Sequence, residues 1–318
     1  MKSLAELIVR GRWTAVLVIA VAGILTYLYV PFTTVFGYMA AAAVALVTLH
    51  IGVVSGLQVL LLASAATLLC YQALGLVMEQ GGVHAIQVMS LLTVLLLWLP
   101  CWLLAAVLRQ TRSLGHALLA AVAFGACLLL AAYGYFDDPA QWWDQRLQDF
   151  GKALQEVGVT FGWLDDGALR ARIAALLTGA VVASQITGVT GSLLLARWWQ
   201  SLLVRPGAFR EEFCRLRLGS MAGLLTLAML VLARVVPGTG GALGAQLAMI
   251  MLVPYLLIGL AVLHSLLQQV RWGAGMLVGV YLALVFVPQA SLVLATGGLL
   301  DTWIDFRRRL RRGATGSN

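Results

Sequence analysis

The chain has 318 residues, of which 61% are hydrophobic and 11% are charged. Soluble globular proteins carry about 25% charged residues, so this composition excludes an ordinary water-soluble domain. The net charge of +8 does not indicate nucleic-acid binding, because most basic residues lie in short segments beside apolar runs.

Long apolar runs recur along the chain, and many reach the roughly 18 residues that cross a bilayer. Lipid offers backbone N–H and C=O groups no hydrogen-bond partner, so such runs form helices or closed barrels. Barrel strands would alternate polar and apolar residues, and runs such as 40–49 and 57–69 show no such alternation. We therefore expect an all-α, polytopic transmembrane helix bundle.

A single integral membrane domain, residues 1–318, is expected to contain about ten spans. Their predicted bounds are 13–30, 36–55, 57–78, 84–108, 114–135, 171–198, 219–236, 242–268, 272–287 and 289–306. A short basic segment precedes the first span, and no good small-residue cleavage site follows it. We therefore expect this span to be retained rather than removed as a signal peptide. The last two spans are short, and the number falls to eight or nine if a pair is re-entrant.

The distribution of basic residues predicts the orientation. With the N-terminus in the cytoplasm, 16 of the 21 lysines and arginines fall in inside segments. The outside segments hold the other five, together with seven acidic residues between positions 137 and 166. The positive-inside rule therefore predicts that both termini are cytoplasmic in a bacterial inner membrane.

The predicted periplasmic segment, residues 137–167, has the pattern of an amphipathic helix. Its apolar residues at helical spacing are Trp142, Trp143, Leu147, Phe150, Leu154 and Val157. The opposite face holds Asp144, Gln148, Lys152 and Gln155. We expect this helix to lie at the outer membrane–water boundary.

The sixth span has an unusual concentration of polar and small residues. Ser184, Gly188 and Ser192 repeat every four residues and form a face that lets another helix approach closely. The alternative is a polar solute site near the membrane midplane, where transporters often bind their substrates. The candidate substrate-binding residues are Gln185, Thr187, Thr190 and, in the eighth span, His264.

The elbow, residues 197–218, is predicted to be a cytoplasmic loop. Its two tryptophans suit an aromatic belt at headgroup level, Pro206-Gly207 marks a turn, and Glu211 precedes Arg215 by four residues, a favourable helical ion-pair order. The elbow either only joins two spans or docks a cytoplasmic partner or anionic lipid headgroups. The docking candidates are Arg197, Trp198, Trp199, Arg210, Glu211, Glu212 and Arg215.

The tail, residues 301–318, is basic and is expected to leave the membrane as a helix. Asp301 and Asp305 share a helical face, and Arg308 or Arg309 follows at a spacing that allows ion pairs. The tail is either an interfacial anchor, or Asp301 faces a partner or ion within the bundle. Its docking candidates are Asp301, Asp305 and Arg307.

No motif indicates an enzyme, a metal site or a cofactor. The chain lacks a Walker loop and the HExxH, GxSxG and CxxC motifs. Glu211 and Glu212 lie beside arginines, but no nucleophile, metal set or phosphate loop accompanies them, so we discount catalysis.

Two segments resemble the YybS-like family of bacterial membrane proteins, which has no assigned reaction. They are ARWWQSLLVRPGAFREEFCRLRL at 196–218 and GGLLDTWIDFRRR at 297–309. The family pattern is RWWQ…NPGGFREEF…LRL followed by GLLDxWxDFRxR, from which Arg205 and Ala208 depart. The resemblance implies a fold likened to the substrate-binding subunits of energy-coupling-factor transporters, which is an analogy of fold only.

Two functional hypotheses follow. The first is a component that binds or transports a small solute, motivated by the many spans and the polar patch around Gln185. The second is a non-enzymatic scaffold or regulator that docks a cytoplasmic partner through residues 197–217 and 301–312. A third possibility, an enzyme acting on membrane lipids, predicts converging acidic or histidine residues, and the sequence offers no such cluster.

Overall fold

In a computed structural model of the chain, the described residues are 1–28, 33–78, 83–267 and 273–307. All regular structure in these ranges is helical, and they contain no strand. The predicted all-α fold class is therefore confirmed.

Several of the helices are long enough to cross a membrane. Within the described ranges, five helices have the required length and apolar composition: Val53–Ala73, Gln87–Thr111, Leu114–Tyr135, Gly167–Val204 and Thr239–Leu267. A sixth candidate is the pair Gly275–Phe286 and Gln289–Ile304, which is bent by 118°. Shorter apolar helices are Arg12–Thr26, Val35–His50 and Ser220–Val235. The described residues thus contain five or six candidate spans by length and composition, and a count of ten stays a prediction.

The chain divides into two compact units. Unit 1 comprises Met1–Ala121 and Thr187–Leu216, and unit 2 comprises Val122–Ile186 and Arg217–Asn318. Two helices, α7 (Leu114–Tyr135) and α10 (Gly167–Val204), contribute residues to both units.

Unit 1 is built around a helix, α3 (Thr33–His50), whose middle is buried. Its helices are α1 (Lys2–Val9), α2 (Arg12–Leu28), α3 (Thr33–His50), α4 (Val53–Met78), α5 (Val83–Thr93), a π-helical turn (Val94–Trp98), α6 (Leu99–Thr111), the C-terminal half of α10, and α11 (Ala208–Cys214). Residues 40–47 of α3 are each at most 1% exposed. The helix packs against α2, α4 and α6, and its many alanines allow these neighbours to approach closely.

The small-residue face of α10 makes one of these close approaches. A Cβ atom on Gly188 would lie 2.3 Å from Cε1 of Tyr38 on α3, so the tyrosine ring lies directly against the glycine. One helical turn later, Ser192 Oγ donates to the carbonyl oxygen of Tyr38 at 3.1 Å. Gly188 and Ser192 therefore have the helix-packing role that is expected of the small-residue face of α10.

Unit 2 contains α8 (Pro139–Glu156), α9 (Gly162–Asp165), α12 (Ser220–Val235), α13 (Thr239–Leu267), α14 (Gly273–Phe286) and α15 (Pro288–Ile304). Helices α13 and α15 cross with their backbones in contact. A Cβ atom on Gly298 would lie 2.1 Å from the carbonyl oxygen of Tyr255, and one on Gly259 would lie 2.0 Å from that of Leu294. Only glycine fits at these two positions, so the crossing is encoded by the sequence itself.

Helix α8 lies within the predicted periplasmic segment. Asp138 begins it by accepting from the backbone N–H groups of Ala140 and Gln141, at 2.9 and 3.2 Å. Two contacts attach it to α10: Trp143 Nε1 donates to Thr178 Oγ1 at 3.0 Å, and the Asp144–Arg170 ion pair measures 2.8 Å. The location of α8 at a membrane boundary stays a prediction.

Candidate functional site

The four predicted substrate-binding residues are divided between the two units. Thr187 and Thr190 belong to unit 1, and Gln185 and His264 belong to unit 2. Thr190 is only 1% exposed. His264 lies beside the carbonyl oxygen of Leu260 (2.8 Å from Nδ1) and the hydroxyl of Tyr281 (3.4 Å from Nε2). None of the four lines either of the two cavities described below, and their role in substrate binding stays a prediction.

The elbow, which the sequence predicts to be a loop, is mostly helical. Helix α10 continues to Val204, and Pro206-Gly207 then turns the chain, with Gly207 at φ +91°, into α11. Arg197 on α10 reaches back across this turn to Glu212 on α11, and their ion pair measures 2.7 Å. The turn and the ion pair together hold α11 against the end of α10.

Two expectations for the elbow are wrong. Among the described residues, Glu211 pairs with Arg205 at 3.3 Å and not with Arg215, because α11 ends at Cys214 and Arg215 lies beyond its last turn. Trp199 is 0% exposed, so its ring is unavailable for an aromatic belt or for docking. Arg210, Glu211 and Arg215 are exposed.

A cavity of about 340 Å³ lies where the C-terminal ends of α3, α6 and α10 meet α11. We call it the arginine cavity. It is lined by Leu49, Leu108, Arg109, Arg112, Arg197, Gln200, Val204 and Glu212. All eight residues belong to unit 1. Arg109 and Arg112 are exposed, so the cavity opens to the protein surface.

Arg109 connects two of these helix ends. Its Nη1 donates to the carbonyl oxygens of Thr48 and Leu49, at 3.1 and 2.6 Å, and Nη2 donates to that of Ile51 at 3.3 Å. The last carbonyls of a helix lack intrahelical partners and carry partial negative charge, which a guanidinium satisfies well. Arg109 therefore fixes one wall of the cavity.

Arg197 is held by its two neighbours. Besides the ion pair with Glu212, its Nη1 donates to Gln200 Oε1 at 3.1 Å. Gln200 in turn donates from Nε2 to the carbonyl oxygen of Leu49 at 3.0 Å. Arg197 is thus positioned by a chain of contacts that ends on the same helix terminus that Arg109 caps.

Arg112 is the least constrained cation of the cavity. Its side chain forms no hydrogen bond or ion pair with any residue that the structure describes. Its backbone has φ +54°, a left-handed conformation that is uncommon for a residue with a side chain. Three arginines and one glutamate give the lining a formal net charge of +2, and Arg112 accounts for one of these charges.

A second, much smaller cavity lies beside the π-helical turn of unit 1. Its lining includes the hydroxyl residues Ser64, Thr67, Ser90 and Thr93, together with Trp98. Its volume of about 10 Å³ is that of a single water molecule. It is too small for a solute.

One buried polar side chain of unit 2 is not among the residues that the sequence singles out. Gln246, 1% exposed, donates from Nε2 to the hydroxyl of Tyr133 at 2.9 Å and to the carbonyl oxygen of Ala175 at 2.7 Å. Gly179 of α10 makes room for it, since a Cβ atom there would lie 2.6 Å from Gln246 Cβ. Gln246 is the one glutamine in the otherwise apolar stretch 242–263, and this was the available signal. Its bonds give it a structural role between α7, α10 and α13.

The described part of the tail folds back on itself. Helix α15 ends at Ile304, and Asp305, at φ +50°, begins a left-handed turn. Arg307 donates from Nη2 and Nε to Asp301 Oδ2, at 2.7 and 3.2 Å. Asp301 also accepts from the backbone N–H of Phe306 through Oδ1 at 2.9 Å. Asp305 pairs instead with Arg217.

These contacts correct the expected docking role of the tail. Asp301 and Arg307 are 1% and 5% exposed and neutralise each other, so they are unavailable to a partner. The expected continuation of the helix is wrong, because the left-handed turn at Asp305 brings Arg307 against Asp301. Arg308 and Arg309, with the rest of 308–318, lie outside the described residues.

The arginine cavity is therefore the feature of the described residues whose chemistry indicates a ligand. Guanidinium groups above buried leucines suit an anion that carries an apolar or neutral group. Within the described residues, no three His, Cys, Asp or Glu side chains are placed to share a metal ion. No family model matches the chain, and neither the curated proteins nor the solved structures give a match.

Proposed function

We propose that the protein is a polytopic component of the bacterial inner membrane that binds a small anionic solute in the arginine cavity. The observation that carries this proposal is Arg112, a cation that lines the cavity without a protein partner among the described residues. A charged group of this kind gains most from a ligand of opposite charge, because charge-assisted bonds are about twice as strong as neutral ones. Binding becomes part of transport only when a partner protein or a conformational change moves the bound solute across the membrane.

The volume of the cavity fits this role. Pockets for small ligands occupy about 300–1,000 Å³, and the arginine cavity, at about 340 Å³, lies at the small end of that range. Its walls are fixed by the contacts of Arg109 and Arg197. Arg109 and Arg197 are therefore already ordered when a ligand arrives, which reduces the entropic cost of binding, and this cost falls mainly on Arg112.

The proposal includes a ten-span topology with both termini in the cytoplasm. Helix α10, with 38 residues, is about 57 Å long at 1.5 Å per residue, whereas the hydrocarbon core is about 30 Å thick. A helix of this length that crosses the bilayer extends beyond the hydrocarbon core. Arg109, Arg112 and Arg197 line one cavity of unit 1, which supports the prediction that they lie on the same side of the membrane, and the positive-inside rule assigns that side to the cytoplasm. Membership of the YybS-like family is part of the proposal and depends on the motifs at 196–218 and 297–309.

A comparison of two arginine variants tests solute binding. Purified full-length protein in an uncharged detergent is screened with anionic metabolites for an increase in thermal unfolding temperature, since a ligand of the folded state must stabilise it. The hits are repeated with Arg112→Gln and with Arg10→Gln, a matched control because Arg10 is exposed and does not line the cavity. The proposal predicts stabilisation that Arg112→Gln loses and Arg10→Gln retains. It fails if no anion distinguishes the two variants.

Docking of a cytoplasmic partner is the second candidate function. It is favoured by the exposure of Arg210, Glu211 and Arg215 on and after α11, which leaves a charged surface on the elbow. Crosslinking from a photoreactive residue at position 210, compared with one at the periplasmic position 148, tests it. Capture of one defined protein from position 210 alone supports docking, and equal capture from both positions contradicts it.

A further inference from the structure

We infer that the arginine cavity recognises a phosphate group, presented either as free phosphate or as the headgroup of an anionic lipid. This inference deepens the proposed function and rests on it, because it names the chemical class of the anion. It is carried by the charge of the lining, by the hydrogen-bond donors that remain after the protein's own contacts, and by the apolar residues at the cavity's edge.

The charge of the lining matches that of a phosphate monoester. Arg109, Arg112 and Arg197 face a single carboxylate, that of Glu212, which leaves two positive charges. A phosphate monoester carries about −1.5 to −2 charges at neutral pH, whereas a monocarboxylate carries one. A phosphate group therefore neutralises the cavity more completely than a carboxylate can.

The remaining donors also suit phosphate geometry. A guanidinium has five N–H donors in a planar fork that binds two oxygens of one phosphate. Arg109 directs its terminal nitrogens at backbone carbonyls, and Arg197 uses one donor on each of Glu212 and Gln200. Arg112 keeps its whole fork available among the described residues, and Arg197 keeps part of its own. Two forks that approach from different helices can hold a tetrahedral group on more than one side.

The apolar part of the lining leaves two sources for the phosphate. Leu49 and Leu108 are buried, at 6% and 4% exposure, while Val204, at the end of α10, is 68% exposed. When the phosphate belongs to a lipid, its acyl chain leaves the cavity beside Val204 and enters the bilayer. Anionic lipids bind in this way at basic interfacial sites. A free phosphate compound would place its neutral portion in the same space. The shared feature is the phosphate group at Arg112.

A matched panel of probes separates these sources. Thermal unfolding of the full-length protein is measured with inorganic phosphate, with acetate and citrate at equal ionic strength, and with short-chain phosphatidic acid against phosphatidylcholine of the same chain length. The variants are Arg112→Lys, Arg112→Gly and the control Arg10→Gln, since Arg10 is exposed and does not line the cavity. Glycine is included because φ +54° at this position favours it, so this variant should fold while lacking the side chain.

We expect a phosphate probe to stabilise the wild type and Arg10→Gln, and its affinity to fall about ten- to a hundredfold in Arg112→Gly. Arg112→Lys should bind with intermediate affinity, since the charge remains and the fork is lost. Stabilisation by inorganic phosphate identifies a free phosphate compound as the source. Stabilisation by phosphatidic acid but not by inorganic phosphate identifies a lipid headgroup.

Two results would overturn the inference, and only the first of them is compatible with the proposed function. If citrate or acetate stabilises the protein through Arg112 and neither phosphate probe does, the phosphate class is wrong while the binding of an anionic solute in the cavity remains. If no probe distinguishes Arg112→Gly from Arg10→Gln, both the inference and the proposed function are wrong.

Discussion

Arg197 on α10 and Glu212 on α11 form a 2.7 Å ion pair across the turn at Pro206-Gly207, and this contact positions a wall of the arginine cavity. Both side chains are about a quarter exposed, at 24% each. Its contribution to stability should therefore exceed that of exposed ion pairs, which is small, and fall below that of buried ion pairs, in which the loss of either partner is costly.

A double-mutant cycle on this pair should give a coupling energy of about 1 kcal/mol, at the upper end of the range for surface pairs. The variants are Arg197→Gln, Glu212→Gln and their combination, unfolded reversibly in mixed micelles. Arg205 and Glu211 provide the matched control, because their side chains are 70% and 55% exposed in the same elbow. Equal coupling energies for the two pairs would contradict the structural role given to Arg197 and Glu212.

Arg112→Gly should stabilise the protein without ligand while it weakens anion binding. Residues held in left-handed conformations cost about 1 kcal/mol or more, a cost that glycine avoids. Arg112 has φ +54° and ends α6, where glycine is favoured. The free energy of unfolding, measured without anions, should rise by about 0.5–1 kcal/mol. A decrease would show that Arg112 makes a stabilising contact in the empty protein.

Gly298→Ala should destabilise the protein, whereas Gly297→Ala should have little effect. A Cβ atom at position 298 would lie 2.1 Å from the carbonyl oxygen of Tyr255, so α13 and α15 must separate. At position 297 nothing lies within 4 Å of the added atom. We expect a loss of about 1–3 kcal/mol for the first variant, measured by reversible unfolding. Similar losses for these adjacent glycines would contradict the backbone contact between α13 and α15.

Asp301→Asn should cost more stability than Asp305→Asn. Asp301 and Arg307 are 1% and 5% exposed, so the first substitution leaves a buried guanidinium without its carboxylate, at a cost of about 3–5 kcal/mol. Asp305 pairs with the half-exposed Arg217, and asparagine tolerates its left-handed backbone, so a loss below about 1 kcal/mol is expected. Thermal unfolding of the two variants checks the order. A reversed order would contradict the assigned partners.

Cysteine labelling checks the predicted orientation. In a variant without the four native cysteines, Glu211→Cys should react with a membrane-impermeant maleimide only after the cells are opened. Gln148→Cys, which lies on α8, should react in intact cells once the reagent has crossed the outer layers. Both positions are exposed in the structure, so accessibility is set by the side of the membrane. Labelling of both in intact cells would contradict the positive-inside assignment.

Local sequence patterns predicted the helical fold and some of its contacts, because the length and polarity of a run determine whether it can be buried. Apolar runs indicated the helices, and the spacing of Gly188 and Ser192 indicated the close approach that Tyr38 makes. These features depend on residues within one or two helical turns. The all-α class follows from them directly.

The arginine cavity was not predictable in the same way. Arg109 and Arg112 are far from Arg197 in sequence, and only the packing of α3, α6 and α10 brings them together. The choice of Arg205 rather than Arg215 as the partner of Glu211 depends on where α11 ends. Such contacts depend on turn geometry and helix crossings, which spacing along the chain does not determine.

Native mass spectrometry of the full-length protein tests the central claim most directly, because it detects a bound free solute and a bound lipid alike. Wild type, Arg112→Gly and Arg10→Gln are released from detergent after incubation with inorganic phosphate or with short-chain phosphatidic acid. We expect a one-to-one adduct of one of these probes on the wild type and on Arg10→Gln, and its loss from Arg112→Gly. Identical adducts on all three proteins, or none on the wild type, would contradict it.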